Sequence, residues 1–192
     1  MAVTVVTASW FSGIVLWERL GWTTAGVVWG IAATLPLLGV FAVTYYLDWR
    51  PLRRVRDLVI QLLGPPLLAC HWYDVILLAV LAGFCEETLF RGVLQPWMAG
   101  VHAGDPTSLG FLVALVGSNL LFALLHPVTP TYAVLVGVIG CYLGLVGLAD
   151  PLPESQQGNL LVPVVAHGLY DYLAFLVIIR ESRRALQDGT RA

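Results

Sequence analysis

The sequence predicts an all-α polytopic membrane protein with about six transmembrane helices and one interfacial or re-entrant helix. The 192-residue chain is 58% hydrophobic and only 11% charged, whereas soluble proteins carry about 25% charged residues. One small core cannot bury that much apolar surface, so lipid must cover it. The apolar residues also fall into long runs separated by loops that contain proline, glycine and polar residues.

The predicted helices follow these apolar runs in order. The first two are Val3–Trp17, which is short for a span, and Thr24–Leu47. The next, Leu58–Cys70, follows a basic stretch and is broken at Gly64–Pro66. Because it is too short to cross a bilayer comfortably, we expect it to be interfacial or re-entrant. Four further spans are predicted at Asp74–Trp97, Ser108–His126, Tyr132–Leu148 and Leu160–Arg180.

The arginines predict the orientation of these helices. One basic cluster precedes the interfacial helix at 50–56, and a second follows the last span. The positive-inside rule places both clusters in the cytoplasm. Four spans separate the two basic clusters if Leu58–Cys70 does not cross the membrane. An even number of spans returns the chain to the same side, which agrees with a cytoplasmic position for both clusters. We therefore expect both termini to be cytoplasmic, in the plasma (inner) membrane of a prokaryote.

The composition also predicts which partners the protein lacks and what role its three cysteines have. The net charge of −2, without a long basic block, argues against a nucleic-acid partner. Cys70, Cys85 and Cys141 follow neither a disulfide nor a metal-binding pattern, so we expect small buried hydrophobic residues. The N-terminus lacks a basic region before its apolar run, which favours a first membrane helix over a cleaved signal peptide.

A small set of ionisable residues lies inside the last four predicted spans. An ionisable side chain at mid-membrane costs about 2.5–3.5 kcal/mol on insertion scales. The set comes from three different spans, which indicates one shared polar cavity inside the helix bundle. Its members are Glu86, Glu87, Arg91, His126, His167 and Asp171.

The spacing of these residues supports a shared cavity. Glu87 and Arg91 are four residues apart, so they share a helix face and can form an ion pair. Glu86 is rotated about 100° from Glu87 and can point into the cavity instead. His167 and Asp171 repeat the four-residue spacing, as do Phe122 and His126.

A carboxylate and an imidazole around one water molecule form a general-base pair. A second imidazole can stabilise a developing oxyanion. The set therefore predicts a hydrolase without a covalent nucleophile. Ser118 lacks the GxSxG context of a serine nucleophile, and Cys85 faces about 100° away from Glu86. A structural interpretation stays open for each feature: a register-fixing ion-pair network, a helix cap at His126, or a satisfied polar pair at His167 and Asp171.

Three motifs in this order resemble a known family. They are "EETLFR" at Glu86–Arg91, "FALLH" at Phe122–His126 and "HGLYD" at His167–Asp171, which match EExxxR, FxxxH and Hxxx(N/D). The chain is therefore similar to the CPBP family, the CAAX-protease and bacteriocin-processing membrane proteins also called Abi. These are glutamic-type intramembrane endopeptidases. The resemblance covers 74–180, which we predict to be the catalytic core of a single membrane domain at 1–192, preceded by N-terminal helices at 1–73.

The resemblance implies a role for each motif residue. Glu86 would be the general base on the attacking water, assisted by His126. Glu87 and Arg91 would support the site by pairing, beside Phe122. His167 and Asp171 would form the oxyanion-stabilising side. Many relatives have Asn at the position of Asp171, and an ionised Asp cannot donate to an oxyanion. Asp171 is therefore expected either to orient His167 as an imidazolium or to be protonated.

Two alternatives to this function stay open. Glu86, His126 and His167 are a two-histidine, one-carboxylate set that a zinc-dependent intramembrane protease could use. A non-enzymatic membrane protein, such as an immunity factor, transporter or scaffold, is the other alternative. Otherwise we expect no cofactor. The expected partners are the lipid bilayer and a membrane-anchored or membrane-inserted peptide, such as a prenylated C-terminus, a leader peptide or the anchor of a surface protein.

The predicted depths of the site residues conflict with one another. Glu86 lies about 18 Å from the cytoplasmic side of its span, whereas His126 lies near the cytoplasmic end of the next span. His167 lies about 10 Å from the opposite face. A shared site therefore requires tilted or broken helices, which membrane proteins tolerate where the backbone lines a cavity.

Overall fold

The structure, a computed structural model, describes residues 14, 16–100, 105–149 and 158–189. The regular elements of these residues are helical, which confirms the all-α class. A π-helical segment, Thr88–Leu94, joins the helices Trp72–Glu87 and Gln95–Ala99, and a 3₁₀ turn, Gly147–Ala149, follows the helix Pro130–Val146. The α-helices are α1 Leu16–Arg19, α2 Thr24–Tyr46, α3 Arg50–Ala69, α4 Trp72–Glu87, α5 Gln95–Ala99, α6 Leu109–Leu124, α7 Pro130–Val146 and α8 Leu161–Gly189.

Three helical segments are long and apolar enough to cross a membrane. They are Thr24–Tyr46, Pro130–Ala149 and Leu161–Asp188. Helix α6 is equally apolar but has only 16 residues. Leucines, valines and tryptophans stay exposed along the outer faces of these helices, where lipid can cover them.

The predicted count of six spans is not confirmed by these segments. The predicted span at Asp74–Trp97 is a helix, but it is divided among α4, the π segment and α5 and carries several charges. The predicted helix Val3–Trp17 lies almost entirely outside the described residues. The count therefore stays a prediction.

Helix α3 differs from its predicted form. It begins at Arg50 rather than Leu58, so the arginine cluster is helical, and Pro51 fits the first turn, where no backbone N–H is needed. The predicted break at Gly64–Pro66 is wrong, because the helix continues through both prolines to Ala69. Tertiary packing explains the continuity: Gly64 is buried directly against Ser182 of α8.

Helix α8 is the centre of the bundle, and α2, α3, α4 and α7 pack against it. Its closest neighbours approach through glycines. A Cβ placed on Gly83 of α4 would lie 2.7 Å from the backbone N of Gly168, and one on Gly30 of α2 would lie 2.6 Å from Cβ of Val165. Small residues of this kind allow membrane helices to pack backbone to backbone. The contact at Gly83 holds α4 beside the part of α8 that carries His167.

We expect Gly83→Ala to destabilise the protein, because the added methyl group must push α4 away from α8. Overpacking of this kind costs about 1–3 kcal/mol. Gly39→Ala is the matched control, since nothing lies within 4 Å of a Cβ at that position. Thermal unfolding in detergent should show a lower Tm for Gly83→Ala and an equal or higher Tm for Gly39→Ala. Equal melting temperatures for wild type and Gly83→Ala would contradict the close contact.

Candidate active site

A buried ion pair lies within the first of the three motifs, Glu86–Arg91. Glu87 is fully buried at 0% exposure, and Arg91 is 5% exposed. Arg91 Nη1 donates to Glu87 Oε1 at 2.9 Å, the pairing that their four-residue spacing predicts. Arg91 Nη2 donates to Asn119 Oδ1 at 2.6 Å and to the carbonyl of Gly140 at 2.8 Å. The guanidinium therefore ties α4 and the π segment to α6 and α7.

Asn119 and Gly140 are site residues that the sequence reasoning missed. Asn119 is 1% exposed, and its Nδ2 donates to the Leu115 carbonyl, so its Oδ1 faces Arg91. At Gly140, a Cβ would overlap Asn119 Oδ1 and come within 2.8 Å of Arg91 Nη2. Only glycine leaves room for this arrangement. The one signal in the sequence is a lone asparagine within an apolar run.

The π segment shapes the backbone around Arg91. Its first residue, Thr88, donates its hydroxyl to the carbonyl of Phe84. Arg19 of α1 donates from Nη1 to the carbonyl of Gly92 at 3.4 Å. Burial lowers the pKa of Arg19 to about 10. The Phe122 ring centroid lies 4.9 Å from Cζ of Arg91, which covers the guanidinium with an aromatic face. π segments of this kind occur often at functional sites.

His167 contacts the same buried carboxylate. Its Nδ1 lies 2.7 Å from Glu87 Oε1, and since an ionised carboxylate only accepts, Nδ1 carries the proton. The other ring nitrogen, Nε2, lies 3.5 Å from Asp171 Oδ2 and 4.0 Å from Glu86 Oε2. Glu87 thus orients the ring, and Nε2 faces two further carboxylates.

His126 lies just beyond the end of α6. Its Nδ1 is 2.8 Å from the carbonyl of Phe122, so Nδ1 donates and Nε2 is left free to act. The ring centroids of Phe122 and His126 are 4.6 Å apart. The end of α6 at Leu124 places His126 in the turn between two helices. This turn ends the helix before His126, and the π segment interrupts the regular α-helical geometry around Arg91.

Glu86, His126, His167 and Asp171 line one chamber of about 520 Å³. The Glu86 carboxylate interacts electrostatically with the imidazoles of His126 and His167. The Glu86 side chain is 21% exposed, whereas that of Glu87 is fully buried. The adjacent glutamates therefore point in different directions. Most of the chamber wall is apolar and comes from α2, α3, α7 and α8.

Three tyrosines in the chamber wall, Tyr45, Tyr132 and Tyr170, were also missed by the sequence reasoning. Tyr132 and Tyr170 line the chamber, and the Tyr132 ring centroid lies 6.4 Å from that of His126. Tyr132 stands near the start of α7, where Thr129 caps the helix by accepting from the Tyr132 N–H. Tyrosines in apolar runs give no distinctive signal, because aromatic residues are common in membrane helices.

The zinc alternative depends on ligands that converge on one point. In the part of the chain that the structure describes, no group of three or more His, Cys, Asp or Glu side chains could hold a metal ion. Glu86, His126 and His167 are all among the described residues, and metal independence stays a prediction. The three cysteines are free and partly buried.

Helices suited to a membrane and a chamber lined by carboxylates and imidazoles define a class, that of integral membrane proteins with a candidate active site inside the helix bundle. Residues 68–173, more than half of the chain, match the family model described as Type II CAAX prenyl endopeptidase Rce1-like. The chain belongs to this family, which confirms the resemblance seen in the three motifs. No curated protein and no solved structure matches the chain. Membership of an endopeptidase family supports peptidase activity, and together with the apolar helices it indicates an integral membrane protein.

We expect Glu87→Gln to destabilise the fold by about 3–5 kcal/mol, because it leaves Arg91 buried without its counter-charge. Glu86→Gln should change stability by less than about 0.5 kcal/mol, since Glu86 faces the chamber. Denaturant unfolding of both variants in the same detergent provides the measurement. An equal loss of stability in the two variants would show that the two glutamates do not differ in their structural role.

Proposed function

We propose that the protein is a metal-independent intramembrane endopeptidase in which Glu86 activates a water molecule. The observation that carries this proposal is the division between the adjacent glutamates. Glu87 is fully buried and bonded to Arg91 and His167, whereas Glu86 faces the chamber beside both histidines. Of the two adjacent glutamates, Glu86 is the one whose carboxylate has access to the chamber and can accept a proton from a water molecule there.

The first half of the reaction uses Glu86 and His126. A water molecule in the chamber donates one hydrogen bond to Glu86 and a second to Nε2 of His126, whose Nδ1 is held by the Phe122 carbonyl. Glu86 accepts a proton as the water oxygen attacks the carbonyl carbon of the scissile peptide bond. The carbonyl π electrons move to the oxygen, which gives a tetrahedral oxyanion.

The second half uses His167 and Asp171. His167 is held at Nδ1 by Glu87, and its Nε2–H in the imidazolium form donates to the oxyanion. Asp171 at 3.5 Å favours the charged imidazole yet is too distant for a strong hydrogen bond, so the Nε2 proton stays available. The intermediate collapses when Glu86 returns its proton to the leaving amine. Asp171 is thus an orienting residue rather than an oxyanion donor.

The shape of the chamber supports a membrane-presented substrate. Its volume of about 520 Å³ falls within the range of ligand pockets, and its walls are mainly apolar. Peptide and lipid-like groups presented from the bilayer therefore fit it better than soluble polar peptides. A prenylated C-terminus, a leader peptide and a membrane anchor all meet this description. We further propose cytoplasmic termini and a prokaryotic plasma membrane, supported by the arginines at the start of α3 and in α8.

We expect Glu86→Gln to lower kcat by about 10²–10⁴-fold, because the amide cannot accept the water proton. The assay is cleavage of a panel of prenylated, leader and membrane-anchor peptides by the purified protein in detergent. Glu18→Gln, a change of the same kind at an exposed position on α1, is the matched control and should retain full activity. Unchanged cleavage by folded Glu86→Gln would exclude Glu86 as the base.

Cleavage is expected to persist in the presence of a metal chelator such as EDTA or 1,10-phenanthroline. The physical reason is that the proposed mechanism draws its base and its oxyanion donor from side chains alone. The measurement is the initial rate with and without chelator, at a chelator concentration that inactivates a known zinc peptidase in parallel. A rate that falls with chelator and returns with added zinc would favour the zinc-dependent alternative.

A further inference from the structure

A basic groove lies between the start of α3 and the start of α7, on the opposite side of α3 from the chamber. It is open, with a volume of about 750 Å³. One wall carries three arginines and Asp57 of α3, and the other carries two threonines beside the first turn of α7. These side chains are Arg50, Arg53, Arg54, Asp57, Thr129 and Thr131.

The charges in this basic groove are not balanced. Arg53 pairs with Asp48 at 2.8 Å, and Asp57 lies 3.5 Å from Nε of Arg56. Arg50 and Arg54 are exposed and have no ion-pair partner among the residues that the structure describes. The groove therefore holds two uncompensated guanidinium groups. The start of α7 adds the partial positive charge of a helix N-terminus.

The position of the groove relative to the membrane follows from its neighbours. Helix α3 comes directly after α2, a segment suited to cross the bilayer. Between them, Tyr46 is 78% exposed and Trp49 is 56% exposed, and exposed aromatic residues of this kind lie at the membrane–water interface. The α3 residues Leu52 and Val55 are buried in the bundle, while Arg50 and Arg54 face outward. The arginines thus lie at headgroup depth.

We propose that this groove binds the headgroup of an anionic phospholipid, with its phosphate between Arg50 and Arg54. An arginine cluster on an amphipathic helix immediately after a membrane span is the pattern that binds anionic lipids. Guanidinium groups donate paired hydrogen bonds to phosphate oxygens, which favours a phosphate over a simple counter-ion. Because Leu52 and Val55 of the same helix line the chamber, the bound lipid also holds one chamber wall at the membrane surface.

The proposal is tested by lipid binding to the full-length protein in detergent, which does not depend on peptidase activity. Fluorescently labelled phosphatidylglycerol is the probe, and labelled phosphatidylcholine is the net-neutral comparison. Wild type should bind phosphatidylglycerol more tightly than phosphatidylcholine, and added salt should reduce the difference. Arg50→Gln with Arg54→Gln should weaken phosphatidylglycerol binding by about 30-fold and leave phosphatidylcholine binding unchanged.

Two further double substitutions distinguish lipid binding in this groove from general attraction between opposite charges. Arg183→Gln with Arg184→Gln removes the same charge from exposed positions near the end of α8 and should leave binding at the wild-type level. Arg50→Lys with Arg54→Lys keeps the charge but loses the paired guanidinium hydrogen bonds, so its affinity for phosphatidylglycerol should lie between those of wild type and the glutamine variant. Equal affinities of wild type for the two lipids, or an equal loss in the α8 variant and the α3 variant, would overturn the proposal.

Discussion

The structure depends on one constraint, the need to neutralise a fully buried carboxylate inside an apolar helix bundle. A buried charge is tolerated only when it is paired and hydrogen-bonded. Glu87 meets this condition through Arg91 and His167, which bring the π segment and α8 to one point. Arg91 in turn needs Asn119 and the Gly140 carbonyl, which bring α6 and α7 to the same point. The contacts of Glu87 Oε1 and of the Arg91 guanidinium thus bring the π segment, α6, α7 and α8 together around the site.

This constraint explains why two glutamates occur side by side. A single carboxylate cannot both hold the bundle together and act as a base, because a base must be able to take up a proton while a structural ion pair must keep its charge. Adjacent positions on a helix face about 100° apart, so one residue can be sealed while the other is open to the chamber. The sealed residue also orients His167, which couples the packing of the helices to the geometry of the proposed reaction.

The sequence was sufficient to predict the interactions that depend on local spacing. The apolar runs predicted the helical class. The known residue period of a single helix predicted that Glu87 pairs with Arg91 and that Glu86 turns toward the chamber. Asn119 and Gly140 could not be predicted in the same way, because their role exists only where α6 and α7 meet. The continuity of α3 through Pro65 and Pro66 depends likewise on packing of Gly64 against Ser182. The number of spans could not be settled from hydrophobicity, because functional charges and short helices weaken that signal where the site lies.

Helix α3 connects the site to the membrane surface. One face of it contributes Leu52, Val55 and Val59 to the chamber, and the other carries Arg50, Arg53 and Arg54. Arg56 Nη1 donates to the Tyr45 carbonyl at 3.1 Å, which fixes the start of α3 against the end of α2. A helix held in this way can be displaced only together with its charged face. If that face binds anionic lipid as proposed, a displacement of α3 would pull its guanidinium groups away from the headgroups, and the membrane surface would act on the chamber wall through α3.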